Sequence, residues 1–217
     1  MQDESPNGAS RRILCILSIL FSLIVFSACE KPAETENPSV YRKDGITFTH
    51  PGNWRVTEDV EEDGYRYLIL ETPGDALFMV QVYDEDEAYD LDSFVESYSD
   101  QVKTEAPFGT AEASSRSPIE RLIDGELRTG IYERFSLRLV GIRVPQIVEY
   151  YRIESGGRVF FLISFVSDED LEMVSPGFDQ IFGSFAIEKR DENEDGPEPA
   201  RTPLKRTTEH KRKHERN

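Results

Sequence analysis

Two tight turns limit what this chain can fold into. Asp124-Gly125 sits between the arms IERLI and ELRTGIYERFSLRL. A two-residue hairpin turn needs positive φ at both positions, and Asp-Gly is suited to it. Further on, the apolar runs 146–153 and 158–166 flank Glu154-Ser155-Gly156-Gly157. Turns this short join only antiparallel neighbours, because a parallel pair needs a crossover of a dozen or more residues. Tyr65–Glu71 and residues 76–83 are two more strand-like runs, separated by the turn-forming TPGD. Phe78, Val80 and Val82 share one face of the latter run. In the long arm after Gly125, one face carries Leu127, Ile131, Phe135, Leu137 and Leu139, interrupted by Thr129 and Glu133. The stretch 141–145 breaks the strand pattern.

Helical periodicity intervenes twice. Leu91, Phe94, Val95, Tyr98 and Val102 recur at helical spacing, with Asp90 or Asp92 available as N-cap. Residues 167–170 (SDED) open a second helix, and Ser175-Pro176 is expected to restart it, with proline at its first position. The order strands, helix, strands, helix predicts an α+β fold: an antiparallel central sheet with helices laid on it. Its span, residues 41–190, makes one domain.

The amino-terminal part of that span reads GITFTHPGNWRV. Its alternation predicts a strand with Ile46, Phe48 and His50 on one face, broken by Pro51 and Gly52. The chain's single tryptophan, Trp54, follows at a fixed reach, and its bulk suits a plug for the end of the core. Pro51-x-x-Trp54 near the domain start and the closing FDQIFGSF, with Gly183-Ser184-Phe185, resemble the PsbP/Mog-like fold, which takes in bacterial lipoproteins of the DcrB/LpqN kind. The resemblance covers about residues 41–188. It implies an α/β/α sandwich around an antiparallel sheet. It also implies a domain that binds proteins or assists assembly, with no shared active site to carry over.

Residues 13–28 are sixteen uncharged, mostly large apolar residues behind Arg11 and Arg12, the flank of an export signal. As a helix such a run spans roughly 24 Å, short of the ~30 Å hydrocarbon core. It closes on Phe26-Ser27-Ala28-Cys29, which resembles a lipoprotein cleavage site except that Phe26 stands where Leu or Val is usual. The expectation is a lipoprotein signal peptide over 1–28 and a lipid on Cys29. The protein would then lie at the extracytoplasmic face of a bacterial cell envelope. An uncleaved signal anchor and an ordinary secretory signal are the alternatives. Residues 29–40 read as a polar, proline-bracketed linker that holds the domain off the membrane.

Charge excludes more than it assigns. The chain carries 42 acidic and 25 basic residues, a net charge of −17, so nucleic acid is a poor partner for its body. Residues 191–217 have no apolar periodicity and read as a disordered tail. The tail begins acidic, and over 201–217 turns basic, with seven Lys/Arg against two Glu. His50 is the one histidine of the domain and reads as a structural imidazole, and no nucleophile elbow, zinc motif or phosphate loop is present. The acidic runs 84–92 and 191–196 lack a complete calcium-loop pattern and read as solvated charge. No catalytic, cofactor or metal residue is expected. The expected function is a non-enzymatic module, bound to the membrane through Cys29 and to an envelope protein partner. An envelope carrier of a small molecule or metal is the alternative, and a carboxylate-based hydrolase stands behind it.

Overall fold

Both predicted hairpins close on the residues that require them. Asp124 and Gly125 have φ of 52° and 73°, and Gly156 and Gly157 have 57° and 73°. The computed structural model describes residues 31–188 other than 63, 75, 106–108, 140 and 141. Cys29, the apolar run before it and the tail 191–217 lie outside the described residues.

Ten strands and two helices are described. In order they are β1 (Ser39–Lys43), β2 (Ile46–His50), β3 (Arg55–Glu62), β4 (Tyr65–Glu71), β5 (Leu77–Asp84) and α1 (Leu91–Glu105). There follow β6 (Gly109–Ile123), β7 (Glu126–Leu139), β8 (Ile142–Ser155), β9 (Arg158–Ser167), α2 (Leu171–Ser184) and β10 (Ala186–Ile187). A seven-stranded sheet runs β3-β4-β5-β9-β8-β7-β6, with every pair antiparallel. A three-stranded sheet runs β1-β2-β10. The fold is α+β and built on antiparallel sheets.

The strand period of two splits the core. On β9, Phe160, Leu162 and Val166 join the cluster with α2 and β2, whereas Val159, Phe161 and Ile163 join the cluster with α1. One helix therefore lies on each face of the large sheet. The cover is not helical throughout, because the small sheet shares the α2 face through Ile46 and Phe48.

Trp54 is 3% exposed and meets Phe178 of α2 edge-on, with ring centroids 5.4 Å apart. A Cβ at Gly177 would lie 2.4 Å from the indole Cζ2 and 2.8 Å from Cγ of Pro51, so only glycine lets the turn and the helix approach this closely. Ser184 Oγ donates to the carbonyl of Gln180 one turn back and accepts the N–H of Thr49, joining the helix end to β2. His50 is buried, with Nδ1 3.0 Å from the carbonyl of Pro51.

Three expectations need correction. α2 is continuous through Pro176, which stands in its sixth position and restarts nothing. The packing of Val174, Phe178, Ile181 and Phe182 outweighs the one missing backbone bond. β8 runs unbroken through Pro145, opposite Ser136 on β7. The other neighbour, β9, pairs with β8 from Ser167↔Gln146 onward, and beyond that pair Asp168 N donates to the Pro145 carbonyl at 2.9 Å, so the donor that Pro145 lacks is lost only where that ladder ends.

The third correction concerns the linker. The chain is already strand at Ser39, and residues 32–35 are docked. Ala33 N donates to the carbonyl of Met173, Gly52 N to that of Glu34, and Gln180 Nε2 to that of Thr35, at 3.1, 3.0 and 3.1 Å. Asn53 receives Glu34 N on Oδ1 and donates Nδ2 to the carbonyl of Pro32. The polar turn Pro51–Trp54 thus offers partners to a segment whose composition alone reads as free.

Candidate functional site

α1 is narrower than the sheet beneath it. Phe94 and Val95 pack with Phe135, Val148, Tyr150 and Phe161, over β7, β8 and β9. Toward β4 and β5 the cover gives out. Tyr65, Tyr67, Ile69, Met79 and Tyr83 stay half-buried there, while Leu68, Leu70, Phe78 and Val80 on the opposite face are buried. Between this open half-face and the helix lies a groove of about 370 Å³. Tyr65, Met79, Gln81 and Tyr83 make its floor. Phe94, Ser97, Tyr98 and Val102, one face of α1, make its wall, and Tyr89 closes one end.

The groove is aromatic and its polar groups are neutral. The ring centroids of Tyr65 and Tyr83 are 4.9 Å apart, and those of Tyr65 and Tyr67 5.9 Å. Phe161 sits beneath, stacked on Phe94 at 3.8 Å and met edge-on by Tyr83 at 5.8 Å. Tyr83 donates its hydroxyl to Oε1 of Gln81 at 2.9 Å, and Gln81 Nε2 reaches Sδ of Met79. Burial pushes the Tyr98 phenol up to about 12, and it also raises Tyr65 and Tyr83, so all three stay protonated. Among the described residues no Lys or Arg lines the groove. Cross-strand pairing instead puts Glu58 and Glu62 of β3 on the same sheet face, opposite Ile69 and Tyr65. A hydrogen bond to Glu58 raises the Tyr67 phenol. Asp90 accepts from Ser93 N and Oγ at 2.9 and 2.8 Å, capping α1 at the acidic end.

The buried carboxylates lie elsewhere and are engaged. Glu133 is fully buried where α1 crosses β7. Its Oε1 accepts from Ser99 Oγ, Lys103 Nζ and Arg116 Nε at 2.8, 3.0 and 3.2 Å, and its Oε2 from Tyr150. Burial alone would raise this carboxyl; the bonds from Ser99 and Lys103 and the charge of Arg116 overcome it and hold it low. Asp59 accepts from Arg66 Nε, Tyr41 Oη and Lys43 Nζ. These bonds outweigh burial and hold Asp59 at about 2. Glu149 holds Arg121, whose guanidinium lies 4.6 Å from the Phe182 ring centre. Among the described residues no three His, Cys, Asp or Glu side chains gather as metal ligands would.

The residues singled out from sequence fall away from the groove. Pro51 and Trp54 are buried at the α2 end of the other face, and His50 is beside them. Glu133 reads in sequence as an interruption of an apolar face. The signal available was Ser99 and Lys103, one turn apart on α1, which present a hydroxyl and an ammonium on the same side. Tyr65, Tyr67 and Tyr83 are visible as strand residues, but nothing local says which face the helix leaves open.

No protein-family model and no curated protein sequence matches the chain. Solved structures similar to it include cyanobacterial PsbP (CyanoP) from Synechocystis at 15% identity and a TM-score of 0.46, over 74% of this chain and 96% of that one. LpqN of Mycobacterium tuberculosis, described as involved in cell envelope biogenesis, is similar at 13% identity and a TM-score of 0.37, over 70% and 90%. A Bacteroides thetaiotaomicron protein is similar at 12% identity and a TM-score of 0.42, and the chain spans about half of its length, 50%.

Proposed function

We propose that the protein is a non-enzymatic binding module of the bacterial cell envelope, anchored by a lipid on Cys29, which holds a partner in the groove between α1 and strands β4 and β5. The observation that carries this reading is the open tyrosine floor. Large aromatic side chains left half-buried beside a helix are what a recognition surface uses, because they offer wide contact area at low entropic cost. The motifs Pro51-x-x-Trp54 and Gly183-Ser184-Phe185, packed around Gly177 and β2, support reading the fold as PsbP/Mog-like.

The anchor follows from the apolar run 13–28 and Ser27-Ala28-Cys29. Among the described residues no helix is long and apolar enough to cross a membrane. With Pro32 already bonded to Asn53, only three steps separate Cys29 from the domain, about 10 Å of chain. A lipid there holds the domain close to the bilayer by its α2 side, with the sheet between the tether and the groove. The groove then opens away from the anchor.

The groove volume also falls within the range of small-molecule sites, which supports a carrier as the second reading. The hydrolase reading loses ground, because Glu133, Asp59 and Glu149 are each committed to cations and none faces the groove.

Cross-linking in native membranes tests the proposal. A partner is expected to be captured by the wild type and lost from a Tyr65→Ser/Tyr83→Ser variant that stays folded at the temperature of the experiment. A partner captured equally by both contradicts the groove as the site.

A further inference from the structure

The carboxyl-terminal chain leaves the fold from β10, on the α2 face, at the same end of the large sheet as the acidic rim of the groove. Glu188 N donates to the carbonyl of Gly45 at 2.8 Å, beside Asp44, whose carbonyl accepts from the Arg158 guanidinium at 3.3 Å. Arg158 pairs across the sheet with Asp84, and Glu85 N donates to the carbonyl of Gly157 at 3.0 Å. Asp84 begins the turn that leads to Tyr89, the end wall of the groove, and Tyr65 pairs with Tyr83 on the same sheet end. The exit point, the acidic turn and the tyrosine floor therefore share one end of the sheet.

Charge separates the two sides of that exit. Residues 84–90 carry Asp84, Glu85, Asp86, Glu87 and Asp90, and Glu58 and Glu62 flank the floor on its other side. Residues 201–217 contain Arg201, Lys205, Arg206, Lys211, Arg212, Lys213 and Arg216, for a net of +5. Twelve residues, 189–200, connect the last described position to this basic segment. Extended, they reach about 40 Å, beyond the ~30 Å width of a seven-stranded sheet. Neutral tyrosine faces with carboxylates around them are a site for Lys and Arg side chains, which are attracted by the ring quadrupole and by the rim.

We propose that the groove is occupied in cis by the chain's own basic segment, residues 201–217, whose Lys and Arg side chains lie over Tyr65 and Tyr83 between Glu58, Glu62 and the 84–90 turn. This rests on the groove being a binding site, as argued above, and adds what fills it. An external ligand then competes with the tail. High salt, or an anionic surface that takes the tail away, opens the groove.

A photoreactive amino acid at Ser97, an exposed position on the helical wall, tests this in the full-length protein in its native membrane. After irradiation, mass spectrometry identifies what Ser97 has captured. The expected product is an intrachain adduct with peptides from 201–217. It should fall at least about tenfold when Lys211→Glu, Arg212→Glu and Lys213→Glu are combined, and fall likewise on raising salt. An adduct with another protein, a lipid or a second copy overturns the tail as occupant and leaves the groove standing as a site. Absence of any adduct overturns both. An intrachain adduct insensitive to the three charge reversals also overturns the proposal, because contact would then not depend on recognition of the cations.

Discussion

The two faces of the seven-stranded sheet are covered differently. On one face α2 and the β1-β2-β10 sheet close over the strands, and Trp54, Phe78, Phe178 and Phe182 interlock with almost no exposure. On the other, α1 covers β7 to β9 and leaves the tyrosines of β4 and β5 half-open. Both faces are rich in aromatic residues, so composition does not distinguish them. Among the described residues the difference lies in the width of the cover: a helix and a small sheet on one side, a fifteen-residue helix on the other. Aromatic area fully removed from water stabilises the fold, and aromatic area left at a groove edge remains available to a ligand.

The strongest way to break this contrast is at the closed face. Trp54→Ala should cost about 3–5 kcal/mol, lowering the melting temperature by about 10 °C, because the cavity opens between the Pro51 turn and α2. Gly177→Leu should be of similar severity, since its side chain must enter the space of the indole and no rotamer avoids it. Denaturant midpoints of both variants check this. A Gly177→Leu protein as stable as wild type would show that Trp54 does not pack where it is described.

Glu133 tests how the open face keeps its helix. Glu133→Gln retains the shape but leaves Lys103 and Arg116 without their carboxylate, and should cost about 1–3 kcal/mol. Protection of α1 amides from hydrogen exchange should drop first. If the loss is spread evenly over the protein, the Glu133 cluster is not what fastens the helix.

A smaller effect should appear in acid. The Asp59 carboxyl sits at about 2 in the folded protein, below its value in an unfolded chain, so the folded state binds its proton more weakly. Its contribution is therefore complete above about pH 4 and is lost as pH falls toward 2, on the order of 2 kcal/mol in all. Asp59→Asn should flatten the stability curve in that window. An unchanged slope would mean that the cluster of Tyr41, Lys43 and Arg66 does not favour the charged form.

Most of the fold was legible in the sequence, because its signals are local. Asp124-Gly125 and Gly156-Gly157 announce their turns through backbone demands that few other residues meet. Leu91 to Val102 shows the helix by spacing, and Ile46, Phe48 and His50 show the buried side of β2. What stayed hidden depends on distant partners. Pro176 breaks a helix in isolation, but here it sits in one already held by Phe178 and Phe182. The segment around Ala33 looks like a free linker, because its partners Met173, Gln180 and Asn53 are remote in sequence. The groove is hidden for the same reason. Tyr65 and Tyr83 look like ordinary strand residues until the extent of α1 shows that the helix stops short of covering them.

The division between the faces is tested most directly by thermal unfolding of Tyr65→Ser/Tyr83→Ser beside Trp54→Ala under one condition. The groove pair is half-exposed and should lower the melting temperature by only about 3 °C, against about 10 °C for the single core change. A groove variant that falls as far as Trp54→Ala would contradict the account, because it would make the tyrosine floor a second core and leave the protein without an open face.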